Sequence, residues 1–582
     1  MFQGSVVKNL QSFNRKGQSA SYTEGMRLVE QLAELSEHYK TSKYNLGLGC
    51  QLTIDNVDIV LKNKLEHWIL CYSRMDPLSS QHLSDSLPQF DLKKITPDVV
   101  FLKQEELSYL NRMCQTVLVK KMTELSSAFS FLSKCIPYKP LHSHDEMFEK
   151  QDIFIECLEP LNEMEHGDMA RMLSMCQKLI LSRLNTLTES RYDDLIQMTI
   201  NQCGSVEEIK NAEEIVHKLQ SDWGQIIIGG DLLTVERIDQ NKSLRMSNLS
   251  KFERLDFLGP SRIAVFHFRQ NIILKLYANL LPNLEDSDCP GTLNCFRALT
   301  EKAKHLSNID SKIKDNFEIH YQFLLSVSEV FLEEKLLHVF REAFGTSDMK
   351  KIASNLKKKD DEEVIALLAQ IVGTSSHAPF LNPEEAFKDT ENAAEDDLEN
   401  MGNLFISVWY ALKSLDFITK TGDSEGIMMY KKNAILLTLS LHSTASKYVH
   451  KLFHEMLEFE QLSERQKLRF ASGHFIKYHG RQSMGDKLKQ QDLNLRAEDM
   501  VCEWQVEKCK NSLRTLSGNF TEETIEKKTK ATALISAILE HDNKSLLIDT
   551  ATGPGTSWNR FEDVEIQRFR DYVKRLQPFR LV

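Results

Sequence analysis

The chain has 582 residues, 41% hydrophobic and 27% charged, with a formal charge of -11, a pI near 6.0 and a mean hydropathy of -0.35. That composition suits a globular protein able to bury a large interior, divided into roughly two to four domains or one domain with a long insertion. The acidic balance excludes a general attraction to phosphate backbones, and no uninterrupted apolar run reaches the roughly 18 residues of a membrane span.

Residues 1–44 read as a polar tail carrying one helix, with Thr23 as a cap before the apolar stripe Met26, Leu28, Val29, Leu32 and Leu35. The opening residues lack the apolar segment and cleavage site of a secretory leader, so an intracellular place is expected, in nucleus or cytoplasm alike. In "GCQLTIDNVDIVLK" (49–62) polar and apolar residues nearly alternate among β-branched side chains, which predicts a strand. From about residue 104 helical spacing prevails, and strand-like runs return only at 225–231 and 262–267. The stretch 382–400 holds eight acids against one lysine and reads as a solvated linker.

The expected fold class is therefore α/β, strongly helix-weighted: a small mixed sheet from segments near 49–61, 225–231 and 262–267, a large helical insertion and a helical C-terminal part. The expected division is a tail at 1–44, a core at 45–375, an acidic linker at 376–402 and a region completing the core at 403–582. Eleven cysteines show no C-x-x-C pair, so buried, reduced thiols are expected.

Three acids invite attention. Asp231 closes "QIIIGGD", where a carboxylate at a strand end could meet a ligand; it also stands where an N-cap of the following "LLTVERIDQ" helix belongs, and both readings fit. Asp55 and Asp58 lie inside the first strand, where a charge must be paired, metal-bound or exposed. Two strand-borne aspartates with a third acid on a helix would suit a pair of divalent ions in phosphodiester chemistry. His450 and His454 have the i, i+4 spacing of zinc ligands, but Lys451 stands where a metalloprotease needs its glutamate, and "HSHD" (142–145) is too short to define a site. Nucleotide-binding glycine loops and G-x-S-x-G are absent.

Three blocks, in order, resemble one family, the domain-of-unknown-function family 6589, transposon-derived with a ribonuclease H-like core. They are "LGCQLTIDNVDIVLKNKLEHWILCYSRMD"; "EMEHGDMARML" with "GGDLLTVER"; and "FIKYHGRQSMGDKLKQQDLNLR". The resemblance spans about residues 45 to 520. It implies acids at strand ends at Asp55 and Asp231, and places Glu163, His166, Asp168, Met169, His267, Asn271, His479 and Gly480 on family motifs of unknown role.

It also implies losses: Val265 stands at an acid's position before His267, and Lys487 and Gln491 stand where the family has Asp and Glu. Divalent ions need several hard anionic oxygens, so Asp55 and Asp231 alone are expected to be insufficient. The leading expectation is a transposase-derived protein without metal-dependent nuclease activity, acting in binding or as a scaffold, with no cofactor. The alternatives are an active nuclease or transposase using Mg²⁺ or Mn²⁺, with Glu236, Asp492 or Glu498 supplying the missing carboxylate, and a plain helical protein-interaction module. DNA is implied as a partner by resemblance only, a protein partner is compatible, and a membrane is not expected.

Overall fold

The structure is a computed structural model that describes residues 49–184, 226–280, 293–298, 313, 317–373, 397–440, 446–477 and 495–513, apart from 62–63, 81, 91–94, 137–139, 141, 150, 152 and 249–252. They fall into two compact units. The first is drawn from Met1–Phe90, His144–Phe268 and Glu458–Ala551, the second from Asp91–Ser143, Arg269–Leu457 and Thr552–Val582.

The first unit is built on a five-stranded sheet in the order β3-β2-β1-β4-β5. Its strands are β1 (Cys50–Leu61), β2 (Lys64–Met75), β3 (Ile153–Glu159), β4 (Ile226–Gly230) and β5 (Leu258–Ile263). β2 runs antiparallel to both neighbours, from Cys50↔Met75 to Leu61↔Lys64 on the β1 side. β4 runs parallel to β1, with Thr53 beside Gly229, and to β5.

Side-chain alternation along β1 explains why the strand can be central. Leu52 and Ile54 enter one core, with Ile69 and Cys71 of β2. Val57 and Ile59 enter another on the opposite face, with Leu70 and Tyr72 of β2. The first core is closed by helices α1 (His166–Leu184), through Met169, Met172, Leu173, Cys176 and Ile180, and α2 (Leu232–Leu244), through Ile238. Those α1 residues recur at three- and four-residue intervals, a helical stripe. Helices α3 (Val265–Leu280), α4 (Glu464–Ser472) and α5 (Glu498–Leu513) come later in the chain, and α5 closes the second core with Val501, Cys502 and Val506.

The second unit is helical among the described residues. Its long helices Phe317–Phe344 and Asp397–Thr421 meet through Phe331 stacked on Phe405, ring centroids 5.2 Å apart. Lys121 of helix Gln104–Leu125 reaches Glu329 at 2.8 Å and Glu333 at 3.3 Å. Among the described residues no helix is long and apolar enough to cross a membrane.

The helix-weighted α/β reading holds, with a mixed five-stranded sheet. Strands near 49–61 and 225–231 are present as β1 and β4, while the third lies at Leu258–Ile263 rather than 262–267, with helix α3 beginning at Val265. Gly259 and Pro260 read locally as a turn, but β5 is an edge strand, where proline costs no ladder bond. The stretch 62–224, read as helical, also contributes β2 and β3. The expected helix at the tail and most of the acidic linker lie outside the described residues, and helix Asp397–Thr421 begins within the linker's last part.

Gly230 is needed because β4 hands over to α2 against β1. A Cβ there would stand 2.7 Å from Thr234 Cγ2 and 2.9 Å from the Ile54 carbonyl oxygen. Gly230→Ala should therefore lower unfolding free energy by about 1–3 kcal/mol in denaturant titration. Gly167→Ala on α1, where a Cβ meets nothing within 4 Å, should be neutral or stabilising by up to about 1 kcal/mol.

Candidate acidic site

On the α5-facing side of β1 lie Gln51, Thr53 and Asp55. Their lower part is locked into a buried polar network. Arg262 of β5, 1% exposed, donates to Gln51 Oε1 at 2.7 Å and to Glu498 Oε2 at 3.3 Å. Thr53 and Tyr72 donate to the other Glu498 oxygen. Glu498 is thus the counter-ion of a buried arginine, with its oxygens already engaged.

Above this network Asp55 is 9% exposed, and its Oδ1 accepts the Asn56 backbone N–H at 2.9 Å. Burial pushes its carboxyl well above the usual carboxylate range, the charge of Glu503 adds to that, His267 opposes it and Asp231 adds again. Those are the neighbours an acid centre requires. Continuing the β1–β4 register from Thr53 beside Gly229 brings Asp55 level with Asp231.

Asp231 is an N-cap: its Oδ1 accepts the Thr234 N–H at 2.7 Å. Its charge also bears on the carboxyls of Asp55 and Glu163. Glu163, 3% exposed, follows β3 in the chain. Its Oε1 accepts from Asn56 Nδ2 and its Oε2 from Thr234 Oγ1, each at 3.0 Å. Burial and then the charge of Asp231 raise its carboxyl above the ordinary range. The glutamate of the second block therefore ties β1 to the start of α2.

The fourth element is α5. Its Asp499 accepts the His267 backbone N–H at 2.9 Å and the imidazole Nδ1 at 3.2 Å, and Glu503 accepts from Nε2 at 3.0 Å. Burial by itself works against an imidazolium, but the hydrogen bonds to Asp499 and Glu503 and the charges of Asp499 and Asp55 win and raise the histidine's pKa well above its usual value. The acids Asp55, Asp499 and Glu503 thus favour the imidazolium form of His267.

Asp55, Asp231, Glu163 and His267 are brought together, with Glu503, which sequence reading missed. The only signal for it was local: acids at 498, 499 and 503 alternate with the apolar 501, 502 and 506, so one face of α5 enters the core and the other the site. Elsewhere, Asp58 pairs with His67 at 2.8 Å, half exposed. His166 lies beside Arg237, 3.4 Å away. Asp168 accepts the Asn162 N–H, and Met169 is buried in the core. Asn271 donates to Tyr448 OH at 2.9 Å. Val265 is buried and apolar as the first residue of α3. His450 and His454 are both exposed. Lys487, Gln491, Asp492, His479 and Gly480 lie outside the described residues.

Among the described residues no three of these acids have oxygens all within 4.8 Å of one another. One ion touching three of them is therefore not prearranged. Two ions about 4 Å apart that share one carboxylate need only pairwise reach.

Fold and site together define an α/β protein with a carboxylate-rich centre where β1, the end of β4 and a late helix meet. The chain belongs to the family of unknown function DUF6589, whose model matches residues 178–551. The matched span holds Asp231, His267 and Glu503, while Asp55 and Glu163 precede it. No curated protein and no solved structure matches the chain.

The network beneath the site yields a measurable coupling. Arg262→Met leaves Glu498 in the core without its ion-pair partner and should cost about 3–5 kcal/mol of stability in denaturant unfolding. In the double variant with Glu498→Gln a large part of that loss should return, a non-additivity that separates charge pairing from lost packing.

Proposed function

We propose that the protein is a transposase-derived member of the ribonuclease H-like class whose acid centre serves divalent-metal-dependent cleavage or transfer of phosphodiesters in nucleic acid. The observation that carries this reading is that Asp231 and Glu503, from two other elements, both bear on the buried carboxyl of Asp55. The order β3-β2-β1-β4-β5, with one acid on the central strand and another closing its parallel neighbour, supports it. The deficit expected at Val265, Lys487 and Gln491 does not count Glu503, which stands at a different position.

The donor set suits Mg²⁺ or Mn²⁺, hard ions that take carboxylate oxygens. Asp55, Asp231 and Glu503 would hold them. When bound, such ions polarise a phosphoryl oxygen and lower the pKa of bound water. The chain's own work is positional. Glu163 fixes Asn56 and Thr234, and through Thr234 the turn that carries Asp231. Asp499 orients His267, which in turn holds Glu503. The imidazolium offsets part of the negative charge and keeps the acids from driving one another apart.

A second reading, a binding or scaffold protein that has lost cleavage, draws on Val265, which is buried and offers no oxygen where the resemblance has an acid. The test separates the two. Full-length protein with plasmid or single-stranded DNA should cut it in Mn²⁺ or Mg²⁺, and Asp55→Asn, Asp231→Asn and Glu503→Gln should each lower the rate by about 100-fold or more, beyond the 10–100-fold typical of outer-shell partners. Glu236→Gln should leave the rate unchanged. No cleavage together with no Mn²⁺ binding by calorimetry would overturn the proposal in favour of the second reading, and cleavage that survives Glu503→Gln would overturn the assignment of the centre to these three acids.

A further inference from the structure

On the opposite face of the sheet from the acids, three cysteines from three elements meet. Cys71 of β2 lies directly opposite Cys157 of β3 in the antiparallel register, which shifts immediately afterwards, between Cys71 and Tyr72. Cys176 reaches them from α1, and the three sulfurs all lie within 4.8 Å of one another. The Sγ of Cys157 is also 3.7 Å from the thioether sulfur of Met172, one turn before Cys176 on α1. Cys71 and Cys176 are fully buried in an apolar core, and Cys157 is partly exposed.

We propose that Cys71, Cys157 and Cys176, with Met172, form a binding site for a soft monovalent metal ion of the Cu(I) kind. Sulfurs about 2.3 Å from a shared ion lie up to about 4.6 Å apart, so the trio needs little movement to close on one. Thiolate and thioether donors select soft ions, and this set lacks the imidazole or carboxylate that zinc centres commonly add. A monovalent ion also suits an apolar pocket, since one thiolate already balances its charge. Cys157, the least buried of the three, is the one best placed to be that thiolate, since water can still reach it. Its partial exposure gives the ion a way in.

Three scattered sequence positions show none of this; the bulge after Cys71, the register and the pitch of α1 create the site. The proposal is independent of the acidic centre, which uses the other face of β1.

The experiment is anaerobic titration of the reduced full-length protein with Cu(I) against a chromophoric Cu(I) chelator, followed by X-ray absorption at the copper edge. The expected result is one tight equivalent with three or four sulfur neighbours, lost in Cys157→Ser and weakened about 10-fold or more in Met172→Leu, which keeps the side-chain volume. Cys114→Ser, a buried thiol of the second unit, should change nothing. Circular dichroism of Cys157→Ser, whose site is partly exposed, checks that its fold is retained. Binding unchanged in Cys157→Ser, preferential binding of Zn²⁺ with nitrogen or oxygen neighbours, or a Cys71–Cys157 disulfide in the protein as isolated under anaerobic conditions would each overturn the assignment.

Discussion

Asp55 lies on the central strand of a sheet covered on both faces, and a carboxylate there loses most of its hydration. Placing Asp231 and Glu503 nearby makes the loss worse, because like charges in a poorly solvated space resist ionisation together. Much of the surrounding structure answers this one electrostatic difficulty. His267 brings a positive charge, Asn56 and Thr234 donate to Glu163, and helix α2 offers its N-terminal amides to Asp231.

Helix α5 joins stability to this arrangement. Val501, Cys502 and Val506 fill the core against β1 and β2, so the helix cannot shift without opening it. The same turns present Glu498 to Arg262, Asp499 to the start of α3 and Glu503 to His267. Packing thus sets the position of the carboxylates, and a change in the apolar face should be felt at the acids. The two faces of the sheet meanwhile gather different side chains, the carboxyl of Asp55 on one and the sulfurs of Cys71, Cys157 and Cys176 on the other.

Part of this was legible beforehand. β1 and β4 carry their own patterns, alternation in one and a continuous isoleucine run in the other, because each pattern reflects burial that extends along a single segment. β2 and β3 were not read, since "KLEHWILCYSRM" and "IFIECLE" carry polar residues whose partners are on distant segments: Ser73 pairs with Glu156, and Arg74 with Gln151 and the Phe475 carbonyl. β5 was displaced because Gly259 and Pro260 signal a turn unless the strand is known to be an edge. Glu503 was passed over for Glu236, Asp492 and Glu498, and Glu498 turns out to neutralise a buried arginine.

The order of residues by itself determined the helix-weighted α/β class, the first and fourth strands and the kinship with DUF6589. Periodicity, capping and motif order act over a few residues at a time, so a linear reading can hold them. Only the tertiary structure decided which acids act on Asp55, that Glu163 bridges β1 and α2, that Asp499 and Glu503 hold the His267 ring, and that Cys71, Cys157 and Cys176 form one cluster. Those facts depend on strand register and helix docking, which bring together residues up to 448 positions apart, and long-range electrostatics has no signature in the spacing of neighbours along the chain.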